Sequence, residues 1–366
     1  MMKTSLIKLI SLLSLASLSC NVLAQASPNL SSPASMYRVI EEMAIKNMAS
    51  PSTNPIELIR KEPTEQQTAL AKNHMASDGT IALMLIDKGR IVFEGYQGPT
   101  ESNRLVSMSM GKSILSLLVG EALCSNKIDS LDDPAEKYAP ELEGKYLGKA
   151  SIRQLLTMTS GVKSPDSTHG QPYYRSSHYL LIRTESMKNI ITKYDNNDSR
   201  SIFGNIWTYN NLNTDALYFV INKVSNKNFI GFYKSTIVEN AGLNSATYWA
   251  LDSSGNEITH SFYFATLQDW ARLALYIRDH LLHKQNTCMG KYIKEATSNN
   301  VFARSSEFNN YGYQFFVNSK TGYKNDFWMV GFAGQRIAFN MKDDKIVINF
   351  SWKLNVESTQ TLFNKF

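Results

Sequence analysis

The apolar patterning of this chain changes period twice, and the order of those changes restricts the fold more than any single motif. Thr80 to Asp87 and Ile91 to Tyr96 are rich in aliphatic and aromatic residues and flank Lys88-Gly89-Arg90. Two such runs around a short glycine turn predict a β-hairpin. From Ser109 to about Tyr233 the apolar residues recur with a helical period between polar loops. Past residue 310 the strand signal returns in YGYQFFV, DFWMVGF, QRIAFN and KIVINFSW. Strands separated by a helical block have to meet in one antiparallel sheet, with the helices as a second lobe against it. The expected class is therefore α/β of the α+β kind: an antiparallel sheet flanked by helices, an inserted helical lobe, and a site in the cleft between them.

The rest of the chain divides around that core. Residues 1–24 carry Lys3 and Lys8, a leucine-rich stretch from Leu9 to Leu18, and Val22-Leu23-Ala24, the build of a cleavable secretory signal peptide. Lipidation of Cys20 in Leu18-Ser19-Cys20 is the competing reading. Export implies a periplasmic or secreted protein. Residues 25–64 read as a polar lead-in, Ser27 to Pro33, followed by a helix over Met36 to Met48 that the Pro/Ser/Thr/Asn cluster from Ser50 to Pro55 ends. A catalytic domain is expected over 65–355, with a sheet lobe at 65–108 and 255–355 and a helical lobe over about 109–254; residues 356–366 read as a tail. Past the leader no run has the roughly 18 apolar residues of a membrane-spanning helix. The formal net charge is +6 with the basic residues scattered, which gives no nucleic-acid groove. Cys124 and Cys288 are free of any C-x-x-C or His/Cys ligand spacing, so no metal or cofactor is expected. An oxidising compartment permits a bond between them.

Within the helical block, SMSMGKSILSLL (107–118) sets Ser109 and Lys112 three residues apart at the mouth of an apolar helix. That spacing presents Oγ and Nζ on one helix face. A serine hydroxyl needs a base to become nucleophilic, and burial of Lys112 favours the neutral amine that such a base requires. S-x-x-K also occurs at Ser5 and Ser160; the first lies in the leader and the second runs from a helix end into a loop. Only Ser109 has a helix N-terminus whose dipole helps an oxyanion. Tyr209, in the Y-x-N of WTYNNLNTDALYFVINKV ahead of an amphipathic helix, is the candidate proton carrier. The same tripeptide at Tyr194 and Tyr323 lies in a charged loop and a turn. Ser151 with Gln154, and Thr266 with Asp269, have the spacing of helix caps, and Gly161 is placed to stop the first of those helices.

These motifs, together with LDDPAEKYAPEL, SIRQLLTMTSGV and YGYQFFV…GFAGQRIAFN in that order, resemble the serine β-lactamase and penicillin-binding-protein superfamily. Within it they are most similar to the class C β-lactamase-like esterases and the 6-aminohexanoate-dimer hydrolases. The resemblance covers roughly residues 65 to 355 and implies a β-lactamase/transpeptidase-like fold. It implies Ser109 as the acylated nucleophile, Lys112 as its base, Tyr209 as proton carrier and Asn211 as a side-chain donor to a small-molecule amide or ester. Met329-Val330-Gly331 aligns with the family's third motif, so Phe332 would supply the second oxyanion amide beside that of Ser109. Lys320-Thr321-Gly322 spells that third motif literally, but it sits in the turn-like NSKTGYKN and reads as a chance match. Met329 then replaces the Lys or His that holds a substrate carboxylate, and Met158 stands where many relatives have histidine. Both departures point away from β-lactam turnover.

Plainer alternatives apply to each residue. Ser109 is also a good helix cap. Trp207, Tyr173, Tyr174 and Trp328 either line a pocket or fill a core, and Gln335 and Arg336 read as structural. No G-x-S-x-G elbow supports a Ser-His-Asp triad. The expected activity is an esterase or amidase; its rivals are a β-lactamase or D-alanyl-D-alanine carboxypeptidase that uses Lys320, and a non-catalytic envelope binding protein.

Overall fold

A computed structural model describes residues 46–76, 79–162, 185–195, 206–298, 300–323, 325–352 and 356–366. The leader, Cys20, Tyr173, Tyr174 and most of the loop from 163 to 203 lie outside the described residues.

The predicted hairpin is present: β2 (Thr80–Asp87) and β3 (Arg90–Tyr96) pair antiparallel, after β1 (Lys46–Ala49) and helix α1 (Glu65–Met75). β4 (Leu105–Val106) leads into α2 (Gly111–Cys124), α3 (Ile152–Leu156) and α4 (Asn211–Val224). Then come β5 (Thr247–Ala250), β6 (Tyr263–Ala265), α5 (Leu267–Leu282), α6 (Cys288–Ala296), β7 (Val301–Phe302), β8 (Phe308–Tyr311), β9 (Phe316–Ser319), β10 (Phe327–Val330), β11 (Arg336–Asn340), β12 (Lys345–Ser351) and α7 (Val356–Lys365). The eight-stranded sheet runs β3-β2-β12-β11-β10-β9-β8-β7, so strands from both ends of the chain meet at β2 and β12, as their separation in sequence requires. The central strands β2, β11 and β12 are buried on both faces, and their apolar residues run nearly continuously. Leu83, Leu85 and Val347 pack with α1 and α7, while Met84, Ile86, Ile346 and Ile348 pack with α5 and the large core.

Three expectations are corrected. Lys46–Met48, read as the end of a helix, is strand, because backbone pairing with β5 outweighs its local helical pattern. Residues 247–250, placed in the helical lobe, are β5 of a second sheet ordered β1-β5-β6-β4. Residues 356–366 form a helix rather than a tail, and Leu362, Phe363 and Phe366 are buried against the sheet. The caps at Ser151 and Thr266 are as expected, though α3 ends at Leu156, five residues before Gly161. Cys124 and Cys288 form a disulfide with Cα atoms 5.7 Å apart, joining the end of α2 to the start of α6.

Candidate active site

The nucleophile turn begins where β4 ends. Ser107 is held to β6 from both sides: its N–H donates to Tyr263 O at 2.7 Å and its Oγ accepts from Tyr263 N at 3.0 Å. Met108 then takes a φ of +43°, a left-handed conformation that costs a non-glycine residue about 1–2 kcal/mol. That reversal sets Ser109 on a single 3₁₀ turn, so the helix proper starts at Gly111, two residues beyond the serine expected to open it. A Cβ added at Gly111 would lie 2.9 Å from Thr259 O and 3.3 Å from Ser261 O. Glycine thus lets the helix start press onto segment 259–261. Lys112 follows, 1% exposed, with Nζ 2.8 Å from His260 O and 3.1 Å from Ser109 Oγ.

Tyr209 arrives from the helical lobe between two anchored neighbours. Thr208 N donates to Met158 O at 2.9 Å, and Asn210 caps α4 by accepting from Leu212 N while its Nδ2 donates to Val162 O. Lys112 Nζ lies 5.1 Å from the centre of the Tyr209 ring, within cation–π range. The structure therefore brings Ser109, Lys112 and Tyr209 together. Met158 packs beneath the tyrosine with Ala303 and Tyr311, and Phe316 stacks on it at 5.9 Å. Trp207 joins this wall, 6.2 Å from Tyr209. Burial, reinforced by the Tyr209 phenol, holds the Tyr311 phenol well above its ordinary range, which keeps Tyr311 neutral. Among the described residues, the buried Trp207 Nε1, Asn211 Oδ1 on the first residue of α4, and Asn213 Oδ1 have no hydrogen-bond partner.

The third element comes from the sheet. β10 ends at Val330, and Gly331 continues extended at φ −124°. A Cβ there would lie 2.5 Å from Ser107 O and 3.1 Å from Met108 Cβ, so this strand end is pressed against the nucleophile turn, as the alignment of Met329-Val330-Gly331 implies. Phe332 opens the turn that follows. Lys320-Thr321-Gly322 lies at the other end of β10, in the β9–β10 hairpin tip. There Lys320 Nζ donates to Ser305 O at 2.7 Å and Thr321 Oγ1 to Gln360 Oε1 at 2.7 Å, on α7. Trp328 is core rather than pocket: it is 1% exposed, packs on Phe363 and donates through Nε1 to Asp326. Gln335 exchanges two hydrogen bonds with Ser351 and is structural, as read.

Two residues that the sequence leaves unmarked complete the frame. His260 supplies the carbonyl that takes Lys112 Nζ, and its Nδ1 lies 2.6 Å from Asp215 Oδ1, both side chains buried, which ties that carbonyl to α4. Gln314, at φ +63°, bonds through its side chain to Thr214 on α4 and to the carbonyls of Leu155 and Leu156 on α3, while its carbonyl accepts from Ser113 on α2. A lone histidine or glutamine with no spacing to a partner carries no sequence signal of such a role.

No curated protein matches the chain in sequence. Solved structures match its fold at low identity. A Bacillus anthracis protein assigned as a 6-aminohexanoate-dimer hydrolase aligns with a TM-score of 0.74 at 18% identity, covering 88% of this chain and 90% of that chain. EstCE1, described as a hydrolase with promiscuous acyltransferase activity, aligns at 0.68 and 11%, covering 82% and 97%. A mutant class C β-lactamase aligns at 0.62 and 14%, covering 82% and 95%. The Beta-lactamase family matches residues 68–358, a span that begins in α1, takes in both strand-bearing ends and the helical block, and closes in α7. The chain belongs to the beta-lactamase family, within the superfamily of serine β-lactamases and penicillin-binding proteins.

Proposed function

We propose that the protein is an exported serine hydrolase that cleaves an amide or ester through an acyl-enzyme on Ser109. The observation that carries this reading is a buried lysine amine 3.1 Å from a serine hydroxyl and 5.1 Å from the centre of a tyrosine ring. Lys112, coupled to Tyr209, takes the Ser109 proton as Oγ bonds to the substrate carbonyl carbon. The amides of Ser109 and Phe332 accept the charge that develops on the carbonyl oxygen. Tyr209 then delivers a proton to the leaving nitrogen or oxygen as its bond to carbon breaks. Water enters, gives up a proton along the same path, and releases the acid and free Ser109.

The likeness in fold to a protein assigned as a 6-aminohexanoate-dimer hydrolase supports an amide as the substrate. The β-lactamase and carboxypeptidase reading draws less support, because the alignment with the family's third motif puts Met329 where relatives carry a Lys or His, and Lys320 lies at the far end of β10.

The test is intact-mass analysis after a fluorophosphonate probe, with p-nitrophenyl butyrate and nitrocefin assays on wild type and Ser109→Ala. One adduct mapped to Ser109, with butyrate hydrolysis abolished in the variant and nitrocefin untouched, is the expected result. Absence of both adduct and turnover would overturn the acyl-enzyme reading and put the binding-protein reading in the lead.

A further inference from the structure

Arg336 is a buried cation beside a reactive centre, and burial of a guanidinium is expensive unless its donors are well used. It stands at the start of β11, opposite Val330 in the pairing with β10, and is 4% exposed. Its Nη1 donates to Gly331 O and, at 3.2 Å, to Gln335 O. Its Nη2 reaches Glu307 Oε2 at 3.5 Å. The two carbonyls it grips are the ends of the turn that connects β10 to β11, and Gly331 N closes the same turn on Gln335 O at 2.7 Å.

That turn does not hold itself together by local preference. Ala333 sits at φ +61° and Gly334 at +89°, and a left-handed alanine persists only where its surroundings enforce it. Asn349 Nδ2 restrains the far side through Gly334 O at 2.8 Å. Arg336 restrains the near side, at the carbonyl of the Gly331–Phe332 peptide. The N–H of that same peptide is the one the proposed reaction uses for the oxyanion. Planar peptide geometry makes the two ends move together: fixing the C=O direction fixes the N–H direction. A charged donor on the carbonyl also polarises the peptide and strengthens its N–H as a donor.

We infer that Arg336 is a positioning residue for the oxyanion hole, clamping the Gly331 carbonyl so that the Phe332 amide is aimed at the tetrahedral intermediate formed on Ser109. The inference rests on the acyl-enzyme reading above. Burial draws the Arg336 guanidinium below its ordinary range, and Glu307 and the Tyr209 phenol act against that pull, which sets the cation within electrostatic reach of the proton carrier as well.

The experiment compares wild type, Arg336→Met, Arg336→Lys and Phe332→Pro in p-nitrophenyl butyrate hydrolysis and in binding of n-propylboronic acid, whose tetrahedral adduct with serine mimics the intermediate. Proline at 332 deletes the amide donor at a position that opens a 3₁₀ turn and accepts it. Loss of one oxyanion donor typically costs about 10²- to 10³-fold in kcat. Arg336→Met is expected to lose kcat and boronate affinity in parallel, by about tenfold or more, with KM little changed. Arg336→Lys recovers part of both, since it keeps the charge but replaces the planar, pre-organised fork with a freely rotating ammonium and gives up the Nη2 contact to Glu307; it carries the test should the methionine variant fail to fold. In the Phe332→Pro background, Arg336→Lys has no further effect on boronate affinity. If folded Arg336 variants keep wild-type kcat and boronate affinity, or change KM alone, the inference falls while the acyl-enzyme reading stands. If wild-type protein takes up neither the boronate nor a fluorophosphonate, both fall together.

Discussion

Gly331→Ala isolates the contact between the sheet and the nucleophile turn. Gly331 is extended, so alanine adopts its backbone without strain and the consequence is steric alone. The new methyl would sit 2.5 Å from Ser107 O, 2.9 Å from Gln335 Cβ and 3.1 Å from Met108 Cβ. Relief to an ordinary contact of about 3.4 Å requires Ser107 O to withdraw by about 0.9 Å. Ser107 cannot yield cheaply, because its N–H and Oγ are both bonded to Tyr263 and Met108 is already held left-handed. Overpacking of this kind costs about 1–3 kcal/mol of stability. A displacement near 1 Å at a reacting group can cost about 10²-fold in rate. We expect urea unfolding to register a loss in that range and kcat/KM for p-nitrophenyl butyrate to fall by one to two orders of magnitude, about tenfold at least. Gly98→Ala is the control: it imposes φ +102° on alanine with nothing within 4 Å of the new Cβ, so it should lower stability while leaving kcat/KM alone. Wild-type kcat/KM in Gly331→Ala would refute the placement of β10 against the nucleophile turn.

The disulfide and a buried histidine give two further expectations. Cys124 and Cys288 are 164 residues apart, for which the chain-entropy model gives about 5 kcal/mol as a ceiling; Cys124→Ala/Cys288→Ala or reduction should lower the urea midpoint markedly, and an unmoved midpoint would exclude the bond in the folded protein. His74 Nε2 lies 2.8 Å from Asn349 Oδ1, and burial, opposed by that hydrogen bond, lowers its pKa from 6.5. The unfolded chain therefore takes up the proton first as pH falls below 6.5, so the stability is full above that value and is lost progressively down to the folded-state value. His74→Gln should flatten the slope of unfolding free energy against pH in that window, and an unchanged slope would assign the acid sensitivity to other groups.

What was legible in the sequence was local. The β2–β3 hairpin, the caps of α3 and α5, and the strands of the C-terminal half each carry their signal within a few residues: a glycine turn, a capping side chain, or an alternating or continuous apolar run. What failed was non-local. Lys46–Met48 has a helical pattern and becomes strand because β5, two hundred residues away, pairs with it. The C-terminal helix was missed because its amphipathic face is short and gains its stability from packing on the sheet. In the site, Ser109, Lys112 and Tyr209 could be singled out because helix spacing and motif order are local facts. The carbonyl of His260, the knot at Gln314 and the grip of Arg336 on Gly331 could not. A backbone carbonyl has no residue signature, and a buried arginine looks in sequence like any other.

The two candidates for the third motif show the same distinction at work. Lys320-Thr321-Gly322 matches by spelling and Met329-Val330-Gly331 by position, and they lie at opposite ends of one strand. In an antiparallel meander the β9–β10 turn and the β10–β11 turn must fall on opposite edges of the sheet, and one strand cannot present both to the same point. The nucleophile turn leaves β4 and presses on Gly331, which sets the β10–β11 end beside Ser109 and leaves the β9–β10 end against α7. Moving Lys320 into the site would require β10 to reverse direction, breaking its register with both β9 and β11. Register therefore separates the literal match from Ser109 by the length of β10.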